Sequence, residues 1–239
     1  QPGEWFLDLH NHRIIYWPRP GEDMRKANVV APVLQTLLNV EGTPDNPVSY
    51  VSFKGLDFRY TTWLRPSQAG HVPLQAGMYL LDAYKLKIPG TPDKKGLENQ
   101  AWIGRQPAAV ELSYVQHTGF DRCRFTHMAA TGLDYIRGTY KDNVTGCFFE
   151  DIGGTAIQAG IFSDEGFETH LPYNPSDERE LSRYLTIKNN FITLCTNEDW
   201  GCVGISAGYV QDINIEHNEL SELSYSGICV GWGWTKTIN

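Results

Sequence analysis

The chain has 239 residues, enough to bury the core of one large domain or two small ones. Asp and Glu outnumber Lys and Arg by 28 to 20, a formal charge of −8 with no basic run to offset it, which excludes a phosphate backbone as partner. Hydrophobic residues make up 41% and charged residues 20%, so the chain is expected to fold, and no stretch approaches the ~18 apolar residues of a membrane span.

The chain opens Gln1-Pro2-Gly3 with neither Met nor a targeting segment, and is read as a piece of something longer or a chain that has lost a leader. Residues 1–47 carry Trp5-Phe6-Leu7-Asp8, a turn at Asn11-His12, then Ile14-Ile15-Tyr16-Trp17. They predict a hairpin within a small β element. From residue 48 a repeated template begins, weakly at first, with Phe53, Leu56 and Phe58; this copy closes much later at Val110-Glu111-Leu112. The excursion between, residues 62–107, carries Pro66, Pro73, Pro89, Pro92 and Pro107 and predicts an extended insertion. Two copies then match without a gap at a shift of 24 residues: Phe120, Cys123, Phe125, Met128, Thr131, Gly132 and Leu133 lie over Val144, Cys147, Phe149, Ile152, Thr155, Ala156 and Ile157.

A second insertion, residues 161–184, follows, and Asp177-Glu178-Arg179-Glu180 within it predicts a short helical turn. The template resumes as Ile187, Asn190, Ile192 and Cys195, is interrupted from Asn197 to Gly201, and closes with Gly204 and Ile205. The last copy is Ile215, Asn218, Leu220, Leu223, Ser226, Gly227 and Ile228, with Gly231-Trp232-Gly233-Trp234 continuing its final strand. Ile238 restarts the pattern just before the sequence stops. Missing coils are therefore expected beyond it, and a packing partner or self-association at that end.

Each unit reads as three short strands, apolar at period 2, with Gly or Asn at the bends. Such a unit buries nothing alone, but units stacked edge to edge at ~4.8 Å bury a continuous apolar column. The expected fold is all-β: a parallel β-helix over residues 48–239, with the small β element at 1–47. Cys123, Cys147, Asn190 and Asn218 fall at one bend, where stacked Asn side chains exchange amide hydrogen bonds. The five cysteines, with Cys195, Cys202 and Cys229, form no CxxC pair, which argues against a disulfide framework and a zinc site.

One outward residue sits between the two inward residues of each final strand: Glu111, Asp134, Gln158, Ser206 and Cys229. Glu111 and Asp134 would be neighbours on an exposed sheet face, and two close carboxylates are what glycosidic cleavage requires; the alternative is solvated surface charge. Asn197-Glu198-Asp199-Trp200-Gly201 sets a large aromatic beside two acids, as a sugar site does, or is an acidic turn capped by a packed Trp. A third group is Asp164-Glu165, His170 and Tyr173 in the second insertion. His117 and His127 fall within or near coils and are read as structural, while Trp232 and Trp234 are read either as a stacking platform or as core. No metal site or cofactor is expected; acids that calcium could use are present, but no DxDxDG loop.

Pro2-Gly3-Glu4-Trp5-Phe6-Leu7-Asp8, Ile15-Tyr16-Trp17-Pro18, the run Asn197 to Ile205, Ala207-Gly208-Tyr209-Val210, Ile215 to Glu219, Tyr225 to Ile228 and Gly231 to Trp234 resemble segments of secreted bacterial right-handed β-helix proteins. They resemble glycoside hydrolase family 141, whose members act on plant cell-wall glycans as fucosidases or xylanases. The resemblance implies the right-handed sense of the helix, a poly- or oligosaccharide partner, and a secreted, periplasmic or cell-surface location in a bacterium. Family members are much longer, and their acids are not matched to positions here, so the candidate acids rest on the residue pattern alone. The leading expectation is a glycoside hydrolase using two carboxylates. Its competitors are a non-catalytic carbohydrate-binding or adhesin β-helix using Trp200, Trp232 and Trp234, and a polysaccharide lyase. The outward column offers acids and no Lys or Arg, which counts against the lyase.

Overall fold

The computed structural model describes residues 1–64, 71–73, 78–81, 102–162 and 175–231. Their regular structure is β throughout, save one 3₁₀ turn at Glu178–Glu180 capped by the Asp177 carboxylate, where the sequence predicts a short helical turn. The chain divides into two compact units, Gln1–Ala31 and Pro32–Asn239.

In the first unit, Trp5–Asp8 and Arg13–Tyr16 pair antiparallel with Asp8 opposite Arg13. The Asp8 carboxylate accepts from the Asn11 backbone at 3.1 Å, from Asn11 Nδ2 at 2.8 Å and from Arg13 Nε at 3.1 Å, which closes the turn. The division into compact units falls after Ala31, whereas the sequence predicts a boundary at 47. Leu38–Glu41 pairs in parallel with Ala108–Ser113, Leu38 opposite Val110, and so belongs to the second unit. Its alternation of Leu38 and Val40 with Asn39 and Glu41 is a short period-2 strand that the repeat template missed.

Three long parallel sheets form the body of the second unit, successive repeats contributing one strand to each in chain order. Two short parallel pairs, Val48–Ser49 with Val115–Gln116 and Ser182–Arg183 with Val210–Gln211, accompany them. The first sheet holds Ser52–Lys54, Gly119–Asp121, Asn143–Thr145, Thr186–Lys188 and Asn214–Glu216. The second holds Asp57–Arg59, Arg124–Met128, Phe148–Ile152, Phe191–Cys195 and Glu219–Ser221. The third runs from Leu38–Glu41 through Ala108–Ser113, Thr131–Arg137, Ile157–Ala159 and Ile205–Ala207 to Ile228–Val230. Every register in these sheets follows the template: Phe58, Phe125, Phe149, Ile192 and Leu220 are partners in one column, and Leu133, Ile157, Ile205 and Ile228 in another. The rings of Phe125 and Phe149 stack at 4.6 Å with 5° between planes.

Single residues with positive φ turn the chain from the first sheet to the second: Gly55, Arg122, Gly146, Asn189 and His217. Only Gly and Asn enter this region without appreciable strain, so the recurrence of Arg and His shows that the stack imposes the bend. One residue on, the polar ladder forms as expected. Asn190 Nδ2 donates to Asn218 Oδ1 at 2.9 Å and to the Val144 carbonyl at 3.1 Å, while its Oδ1 accepts from Cys147 N at 2.8 Å. Asn190→Ala would strand the Cys147 N–H and Val144 carbonyl inside the stack, a loss of about 2 kcal/mol. Denaturant unfolding measures it; a change below about 0.5 kcal/mol, the level of an ordinary surface substitution, would show that the ladder contributes nothing.

The first insertion contains a three-stranded antiparallel sheet, His71–Pro73, Met78–Leu81 and Trp102–Arg105. Its last strand ends immediately before the chain re-enters the third sheet at Ala108. That junction positions the groups described next.

Candidate functional site

The column Glu111, Asp134, Gln158, Ser206 and Cys229 is in register across the third sheet, so Glu111 and Asp134 are neighbours as the repeat spacing requires. The expected exposed face is not found. Asp134 is 1% exposed, and Gln158 and Ser206 are fully buried. Arg105, at the end of the insertion, covers Asp134. Its Nε donates to Asp134 Oδ2 at 2.7 Å, its Nη2 to Asp134 Oδ1 at 2.5 Å, and its Nη1 to the Gly160 carbonyl at 2.8 Å. The column itself carries no Lys or Arg, and the cation comes to it from the insertion. Burial pushes the Asp134 carboxyl above its ordinary value, outweighing the opposing pull of Arg105. Glu111 is partly buried and accepts from Ala108 N at 3.0 Å and Thr36 Oγ1 at 3.3 Å.

The next residue, Gln106, reaches the other predicted acid. Its Nε2 donates to Asp199 Oδ2 and, at 3.3 Å, contacts Cys202 Sγ. Asp199 is 1% exposed. Consecutive residues of one insertion thus hold Asp134 and Asp199, two acids that the sequence placed in unrelated groups. Gly153 and Gly154 make room for this. A Cβ on Gly153 would lie 2.4 Å from the Ala129 carbonyl oxygen and 3.0 Å from Glu198 Cγ, and one on Gly154 would lie 2.1 Å from Gln106 Oε1. Burial, with the Asp199 charge second, pushes the Cys202 thiol up to about 12, so it is not a nucleophile.

Of the Asn197–Gly201 loop, Asn197, Glu198 and Trp200 face outward. Trp200 is 63% exposed and Glu198 is exposed. Backbone N–H groups of Glu198 and Asp199 both donate to the Gly153 carbonyl, at 3.1 and 3.0 Å, which pins the loop to the preceding repeat. Asn197 Nδ2 donates to the Leu194 carbonyl at 2.7 Å and to Asp151 Oδ1 at 3.3 Å. Asp151 Oδ2 is in turn 2.7 Å from His127 Nδ1, and Tyr60 stacks on the His127 ring at 5.2 Å. His127 is exposed here and is no part of the core. Sequence reasoning missed Arg105, Gln106 and Asp151. A signal existed for Asp151, because the 24-residue shift lays His127 directly over it.

Asp164, His170, Tyr173, Trp232 and Trp234 lie outside the described residues. Among the described residues no group of three or more His, Cys, Asp or Glu side chains is placed to hold a metal ion, and no helix is long and apolar enough to cross a membrane.

No family model matches the chain, and no curated protein matches it. A solved structure named "Glycoside hydrolase" is similar to it, with a TM-score of 0.89 and 47% sequence identity. The match covers 100% of this chain and 41% of that one, so the chain spans less than half of that protein's length.

Proposed function

We propose that this chain is part of a secreted glycoside hydrolase that cleaves a plant cell-wall or related polysaccharide, built on a right-handed parallel β-helix of the family 141 kind. The observation that carries the reading is the 47% identity to a glycoside hydrolase structure along the whole chain. The surface of the Asn197–Gly201 loop agrees with it. The exposed Trp200 ring offers a face for a pyranose, and Glu198 beside it is a carboxylate that solvent and substrate reach. In this reading Glu198 exchanges a proton with the glycosidic oxygen, while a second carboxylate attacks the anomeric carbon or activates water. Asp199, held by Gln106, positions the loop.

Glu198→Gln in the full-length protein should lower turnover of a xylan or a fucosylated plant glycan by about 10²-fold or more. Trp200→Ala should raise KM with kcat little changed, since a stacking contact is made in ground and transition states alike. Folded variants with wild-type kinetics would remove the loop from the mechanism. The second reading, a carbohydrate-binding module without catalysis, is favoured by the burial of Asp134 and Asp199, and it predicts glycan binding with no hydrolysis by the full-length protein.

A further inference from the structure

We propose that His127, oriented by Asp151, is a sugar-binding group of this same corner, and that the corner selects uncharged glycans over uronate-bearing ones. The inference rests on the glycan-active reading above and adds a residue and a substrate class to it.

Tyr60, His127 and Asp151 occupy equivalent positive-φ positions on three successive repeats, with φ of 65, 56 and 55°. This is a bend, so their side chains project from the corner and not into the core. Relative exposure of the side chains is 47% for His127 and 53% for Asp151. The 2.7 Å contact engages Nδ1 only. In the neutral imidazole this contact orients the Nδ1 proton toward the carboxylate and leaves Nε2 as a directed acceptor, without a partner among the described residues. Tyr60 lies nearly parallel to the ring, 10° between planes, and restricts its rotation. Asn197 joins Asp151 to the loop that carries Glu198 and Trp200. An oriented ring nitrogen tied through Asp151 and Asn197 to the loop that carries an exposed indole offers a glycan chain two kinds of contact: a hydroxyl donor for Nε2 and a CH face for Trp200.

Charge sets the class of sugar. Asp57, Glu150, Asp151 and Glu198 cluster at or beside this corner, and Arg59, the cation next to Tyr60, is already engaged by Asp57. The other cation near Asp57, Arg124, lies over the Phe148 ring at 5.3 Å, so the acids outnumber the cations and the corner is net negative. A uronate would meet like charge, whereas a neutral pyranose would meet acceptors for its hydroxyls.

The test is calorimetric titration of the full-length protein with xylohexaose and, separately, hexagalacturonate. Xylohexaose should bind at least about tenfold more tightly than hexagalacturonate, and His127→Ala should weaken it by about tenfold, the scale of one lost hydrogen bond with its orientation. Because residue 127 has positive φ, His127→Asn serves as the fold-compatible control: Asn accepts that backbone but its shorter side chain does not reach the Nε2 position. It should weaken binding like alanine while melting at the wild-type temperature. Xylohexaose affinity unchanged in both variants, or equal affinity for hexagalacturonate, would overturn the proposal. Binding through His127 with no hydrolysis would sink the hydrolase reading alone; hydrolysis with KM indifferent to His127 would sink this one alone.

Discussion

Replacing Arg105 by alanine should cost the fold about 3–5 kcal/mol at neutral pH, the scale for removing one partner of a buried ion pair. Asp134 is 1% exposed, and its carboxylate takes two hydrogen bonds from the guanidinium. Burial already pushes this carboxyl up against the pull of Arg105. Without the cation the group must either stay ionised in a dry site or take up a proton, and both are costly at pH 7. The double variant Arg105→Ala, Asp134→Asn should recover more than about 1 kcal/mol relative to expectation from the two single changes, because the residues are in contact. Urea unfolding of the four proteins measures this. An Arg105→Ala protein as stable as wild type would mean that Asp134 is solvated, and would return it to the list of acids open to substrate. Arg105 also fixes the segment that carries Gln106, so its loss should loosen Asp199 and raise KM through the Trp200 loop.

The stacking in this protein was legible because a parallel register repeats one local pattern. Phe125 over Phe149, Asn190 over Asn218 and Glu111 beside Asp134 each follow from an apolar residue recurring at fixed spacing with bends between. Burial was not legible to the same degree. Period 2 says which residues point away from the coil interior, and Asp134, Gln158 and Ser206 do. It carries no information on what lies over them, and Asp134 is covered by Arg105, from an insertion whose length follows no repeat. The Gln106–Asp199 contact is hidden for the same reason, since 93 residues separate its partners and neither position has an equivalent in the other copies. His127 and Asp151 differ from these. The 24-residue shift lays one over the other, but a template of inward positions with Gly or Asn at the bends does not single out their pairing. In a stack, a positive-φ bend can be imposed on almost any residue at a modest cost, and the side chain it turns outward is then free to acquire a role.

Asp142→Asn should stabilise the protein most at pH 8, and by progressively less as the pH falls toward 4. Asp142 is buried at the turn into the first sheet, where its Oδ1 accepts from Thr118 N at 2.7 Å and Thr118 Oγ1 at 2.8 Å. Its Oδ2 is buried with no hydrogen-bond partner, as are the hydroxyls of Thr139 and Ser182. Burial pushes the carboxyl from an ordinary 3.8 to about 7, outweighing the Thr118 hydrogen bonds that favour the charged form. The folded state therefore holds a proton between about pH 4 and pH 7 that the unfolded chain releases, so this group's contribution to stability falls as pH rises through that window and is flat above it. The full difference is of order 4 kcal/mol, an upper bound because local opening or water entry would relieve it. An asparagine keeps an oxygen for Thr118 and cannot ionise, so its stability should lack this slope. Thermal melts of both proteins from pH 4 to pH 9 isolate the group, since all other titrations cancel in the difference. Parallel curves would show that Asp142 ionises without penalty and that the polar pocket it shares with Thr118 is hydrated in solution.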